Sequence, residues 1–207
     1  ADGAPATVTF TATVAADTLT VGTSSKAGAA LFEEAVTVPT INITGANSAD
    51  EDSTATFNKA VTATSGITLN DSAGDAKVIF AENNSVDITG TIDGASAGEG
   101  IIQITGATKT FKSAIGSTSV GTLNIDATPV FESTVEATTI DIAGSVTATF
   151  NDAITATTIA LNGSSNLTIS YTGAITVAGN ITDTSTSNEI NVLFATADTA
   201  PSLVTFS

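Results

Sequence analysis

The sequence predicts an all-β solenoid of about nine coils, with repeats of 19–25 residues over a single repeat domain, 1–207. Three observations carry this reading. The composition is that of strands: 42% of residues are hydrophobic and only 13% are charged, and Val, Ile and Ala alternate with 40 threonines. The aromatics recur: Phe10, Phe32, Phe57, Phe80, Phe111, Phe131, Phe150, Tyr171 and Phe194 are spaced by 22, 25, 23, 31, 20, 19, 21 and 23 residues. A fixed apolar pattern also follows most of them, with a branched residue four positions on and an I-x-I-like pair nine and eleven positions on.

Taken in order, the first unit runs a strand through Ala6–Phe10, then Val14, then Leu19 and Val21. The second repeats it as Phe32, Val36, Ile41 and Ile43. The third, TATFNKAVTATSGITLN (54–70), carries Phe57 and Val61 and brings its pair one place later, at Ile67 and Leu69. The Phe80 unit is degenerate, with an insertion of about eight residues near 90–100. Phe111 restarts the pattern with Ile115. The clearest copies follow: PVFESTVEATTIDIAGS (129–145) and ATFNDAITATTIALNGS (148–164). Tyr171 keeps only Ile175, and Phe194 is degenerate after its first few residues.

Gly, Asn, Asp and Ser between these short strands supply turns. No window of ten or more residues combines a 3.6 period with caps, so helix should be nearly absent. No such strand can bury its apolar face alone, so successive copies should stack in register, with Phe, Val and Ile as inward ladders. Nine coils at about 4.8 Å give a rod on the order of 45 Å long. The expected core ladder is Phe32, Phe57, Phe80, Phe111, Phe131, Phe150, Tyr171 and Phe194. A β-sandwich completed by a donated N-terminal strand is the alternative, although its strands need not be copies of one another.

Composition narrows the chemistry. Five lysines against 21 acidic residues give a net charge of −16, and there is no arginine, histidine or cysteine. Ser–His and Cys–His nucleophile pairs and the usual zinc, haem and iron–sulfur sites are thereby excluded. Solenoid polysaccharide chemistry pairs carboxylates with basic partners that this chain scarcely has, so an enzyme is not expected. The charge repels phosphate backbones, so nucleic acid is not an expected partner. No apolar run reaches the roughly 18 residues of a membrane span, and no membrane insertion is expected. The chain opens on Ala1-Asp2-Gly3-Ala4, which reads as the mature terminus of an exported precursor.

The phrases ATFNDAITATTIALNG, ATFNKAVTATSGITLN and VFESTVEATTIDIAG resemble the repeats of rickettsial outer-membrane surface antigens, which are autotransporter passengers. They also resemble repeats of other bacterial adhesins and surface-layer proteins. The resemblance implies a secreted, extracellular or cell-surface location and a structural or adhesive role. It implies no catalytic residue.

Two candidate sites remain. The acidic loops at Asp50, Glu51 and Asp52 and at Asp71 and Asp75 offer oxygens that calcium would need as a cofactor. The second candidate is the pair of end strands, 6–14 and 202–207, with Val8, Phe10 and Val14 at one end and Leu203, Val204 and Phe206 at the other. VTFT at 8–11 nearly repeats VTFS at 204–207. A solenoid rung without a polar cap exposes unpaired strand edges. The expected function is therefore head-to-tail self-assembly into a filament or surface layer, with the chain itself as partner. The alternative is a piece cut from a longer solenoid, an adhesive passenger fragment that binds a host, glycan or cell-surface ligand.

Overall fold

The computed structural model describes residues 5–49, 51–171, 174–183, 189–194 and 203–206. Among them the chain is a β-solenoid without helix, and its strand-to-strand ladders are all parallel. An isolated antiparallel bridge between Thr23 and Lys26 closes one corner.

Each coil has three faces. The first coil lays down Thr7–Phe10, Val14–Ala15 and Thr18–Val21. The next coil stacks directly on these strands, pairing Phe10 with Phe32, Val14 with Val36, and Leu19 with Ile41. On the first face the in-register column runs Phe10, Phe32, Phe57, Phe80, Ile104, Ile125, Ile142, Leu161, Asp183, which makes nine rungs and eight turns. Alternation decides the core: in Val36–Thr44 the residues Val36, Val38, Ile41 and Ile43 are buried while the threonines between them are not. The even count from Val38 to Ile41 is broken at Pro39–Thr40, where the strand turns from the second face to the third.

The aromatic ladder does not stay on one face. Phe10, Phe32, Phe57 and Phe80 lie on the first, whereas Phe111, Phe131 and Phe150 lie on the second, in the column begun by Val14, Val36, Val61 and Ile88. The residues expected as an insertion near 90–100 explain the change. They form no excursion, because Val86–Thr89, Ile92–Gly94 and Glu99–Ile104 are ordinary strands of the stack. Phe80 to Ile104 is 24 residues, one full coil, and Ile104 to Phe111 is 7 more, one face, giving the 31-residue gap. The repeat therefore slips by one face while the backbone ladder continues. The I-x-I pairs move with it: Leu69 lies on the third face, but Ile125, Ile142 and Leu161 lie on the first.

The rings follow the slip. Phe10–Phe32, Phe32–Phe57 and Phe57–Phe80 stack at 4.8, 4.9 and 5.9 Å, and Phe111–Phe131 and Phe131–Phe150 at 5.1 and 4.7 Å. Between the two runs, Phe80 and Phe111 meet edge to face at 5.4 Å and 81°. One aromatic column thus turns a corner inside the core. The last two expected members leave it: Ile169 and Val192 hold the column positions, and Tyr171 pairs with Phe194 two residues further along the strand.

Candidate assembly site at the open first rung

A rung inside the stack has a partner on both sides. Thr7–Phe10 pairs only with Ala29–Phe32, Val14–Ala15 only with Val36–Thr37, and Thr18–Val21 only with Thr40–Ile43. One strand edge on each face of this rung therefore meets no described residue.

Val8 shows what that means for packing. Its column continues as Ala30, Ala55, Val78 and Ile102, all inward and buried. Val8 itself is 57% exposed, the one large hydrophobic so exposed among the described residues. It occupies a core position and is wet because no described residue lies above it. Phe10, Val14 and Leu19 are likewise only partly buried. The mouth of the solenoid is a recess of about 320 Å³ lined by Val8, Phe10, Leu19, Val21, Gly28 and Ala30. Thr7 and Thr9 flank Val8 and are exposed.

At the opposite end, Asn180–Asp183, Glu189–Phe194 and Leu203–Phe206 form the ninth rung, each paired with the rung before it. Leu203, Val204 and Phe206 align with Ala174, Ile175 and Val177, on the third face. The two end strands singled out for their matching VTF segments therefore lie on different faces. Residues 202 and 207 of that expected edge lie outside the described residues.

The acidic loops behave as staples. Asp71 accepts from the amides of Ala76 (2.7 Å) and Gly100 (2.8 Å), tying two coils, and Asp52 accepts from the amide of Asp75 (2.9 Å). Burial, and then the charges of Asp52 and Asp71, push the Asp75 carboxyl above its ordinary value, with Lys77 opposing. Among the described residues no group of three or more acidic side chains could hold a metal ion. Glu51 contributes main-chain bonds to Ser48 and Ala46, and Asp50 lies outside the described residues.

Sequence reasoning missed a polar node at the slip. Lys109 is fully buried, and its ammonium donates to the carbonyls of Glu82 (2.6 Å), Thr105 (2.9 Å) and Ala107 (2.6 Å). Burial lowers its pKa, with the Glu82 charge opposing. Glu82, also buried, receives Lys59 at 2.9 Å and both the backbone and side-chain amides of Asn84. These bonds, led by that from Lys59, hold the Glu82 carboxyl at about 2, against the pull of burial. A readable cue existed: in Lys109-Thr110-Phe111 the lysine shares the parity of the core phenylalanine.

Compared with protein-family models, curated proteins and solved structures, the chain finds no match.

Proposed function

We propose that this chain is a secreted structural subunit that assembles end to end, its first rung accepting the last rung of another copy by parallel strand pairing. A filament or surface layer at the cell exterior would result, in keeping with the resemblance to bacterial surface-protein repeats. The observation that carries the reading is Val8, a core-column residue left 57% exposed at an edge that meets no described residue. Covering the mouth removes apolar surface from water at about 25 cal/mol per Å², and pairing satisfies a whole row of amides and carbonyls. Such a contact is heterologous and does not close on itself, so it propagates. The alternative, adhesion through a lateral face, has less support, because among the described residues the large exposed hydrophobic, Val8, lies in the first rung and not on the side of the rod.

The net charge of −16 sets the condition. Like-charged rods repel at low ionic strength, and salt or calcium should lower the concentration at which they join. Electron microscopy and light scattering of the purified chain, with and without calcium, test this. Unbranched filaments or sheets are expected, and Val8→Asp should raise the assembly threshold at least tenfold without unfolding the chain. Monomers at millimolar protein under both conditions would defeat the proposal.

A further inference from the structure

The core uses the inward side of the first face; the outward side presents two columns of residues to solvent. One column runs from Thr7 through Ala29, Lys77 and Ile101 to Asn180. The other runs from Thr9 through Leu31, Ile79 and Asp141 to Thr182. Lys77 and Asp141 are the only charged residues in either column, and their charges cancel. This is a neutral strip on a chain of net charge −16. The acidic surplus lies elsewhere: Asp87 on the second face, Asp93 and Glu136 on the third, and most of the remainder at the corners. A like-charged copy approaches at least cost where the charge is zero. The strip also rewards contact, because Leu31, Ile79 and Ile101 point outward and are only half-buried.

Two copies can lay these strips together with their rods parallel, related by a two-fold axis along the rod. Each rung then meets its own copy with the strand direction reversed, so the first column lies on the second. Leu31 covers Ala29, Lys77 lays its stem on Ile79, Ile101 covers Gln103, and Asp141 meets Thr139 in place of its twin. The same operation sets the corner before each first-face strand against the corner after it. In the second rung Lys26 approaches Glu33 and Glu34, and in the third Asp52 approaches Lys59. In the fourth, Asp75 approaches the corner of Glu82, whose carboxylate is buried and bound to Lys59. Antiparallel rods would set preceding corners on preceding corners, where Lys26 is the only base among the described residues. Because every rung faces its own copy, the match holds for a rod of any number of rungs. Nine described rungs at about 4.8 Å, by a four-residue strand at about 3.3 Å per residue, give roughly 1,100 Å² for the pair. That reaches the lower bound of a specific interface, about 1,000 Å².

We propose that the outward first face is a self-docking surface that pairs two rods side by side, parallel and in register. The pairing is lateral and separate from end-to-end growth; the two together give a two-stranded filament.

The test uses the chain carrying Val8→Asp, at an inward position of the first rung, so that lateral pairing is read without end-to-end growth. Sedimentation equilibrium from micromolar to millimolar protein should show monomers in equilibrium with dimers. Thr56→Glu, in the strip, should weaken the dimer at least tenfold. Thr155→Glu, exposed on the third face, should change it less than twofold. Circular dichroism checks that both variants keep the fold. Orientation is read without either glutamate. The chain has no cysteine, so single spin labels at D87C, T110C or T149C report one column of the second face, in rungs four, five and seven. Parallel, in-register rods give the same label-to-label distance at all three, whereas in antiparallel rods the axial separation changes by about 10 Å per rung. Monomers across the whole range, a dimer indifferent to Thr56→Glu, or distances that drift from rung to rung overturn the proposal. None of these results touches end-to-end assembly, which is read from the parent chain against Val8→Asp.

Discussion

The coils before and after the slip are the same backbone carrying different side chains on the same faces. On the first face the amide after the column residue donates to the carbonyl of the rung below at 2.9 Å from Asn58 to Phe32, from Thr105 to Phe80 and from Asp126 to Ile104. The bond is indifferent to whether the column holds phenylalanine or isoleucine. The interior is less tolerant, because in each of the first seven rungs it holds one ring packed among aliphatic side chains. Moving the ring from the first face to the second satisfies that rule as long as the aliphatics rotate with it. A solenoid repeat is thus a cyclic pattern with no privileged face.

If the two regions are equivalent, their rings should be worth the same. Phe57 and Phe131 are both 1% exposed and stacked on both sides. Phe57→Ala and Phe131→Ala should each cost about 3–5 kcal/mol, measured by urea unfolding followed by circular dichroism. A difference of more than about 1.5 kcal/mol would show that the faces pack unequally. Phe10→Ala, at the wet mouth, should cost less than half as much.

The junction between the regions should be the next most sensitive place. Lys109 satisfies three carbonyls at the corners where the repeat slips. Lys109→Met keeps the apolar stem and removes the ammonium, so the Thr105 and Ala107 carbonyls lose that donor while the Glu82 carbonyl keeps the Ala107 amide. An expected loss of about 2–4 kcal/mol follows. Hydrogen exchange should locate the loss at residues 81–111 before the flanking coils open, since neighbouring rungs are coupled only to one another. A uniform loss of protection would mean that the node does not serve the slip in particular.

That contrast also explains what the sequence could disclose. Phe-x3-Val and I-x-I spacings announced the strands, because inward positions tolerate few residue types. Eight extra residues near 90–100 were readable in number but not in use, since a loop and one face of a coil cost the same length. Only the register tells them apart, and register is a property of pairs of coils. For the same reason, Tyr171 matched the aromatic spacing although Ile169 holds the column. The first strand was legible from Val8 and Phe10, but the different faces of the two VTF segments show only in the register.

The smallest effect expected is a pH dependence confined to the junction. Lys59 and Asn84 hold the Glu82 carboxyl at about 2 in the folded chain, below its ordinary 4.5. Between those values the unfolded chain binds the proton and the folded chain does not. Its contribution is therefore complete above pH 4.5 and is lost as the pH falls toward 2. Asp75, whose carboxyl is raised, acts in the opposite sense, so total acid stability does not isolate Glu82. Subtraction does. Glu82→Gln keeps an acceptor for Asn84 but releases Lys59, and the parent's advantage over it should shrink steadily as the pH drops from 5 to 2, vanishing at the low end. The apparent proton uptake on unfolding in that window should fall by up to about one. An advantage that stays constant across the window would mean that Glu82 stabilises the junction through its shape and hydrogen bonds, with its charge contributing nothing.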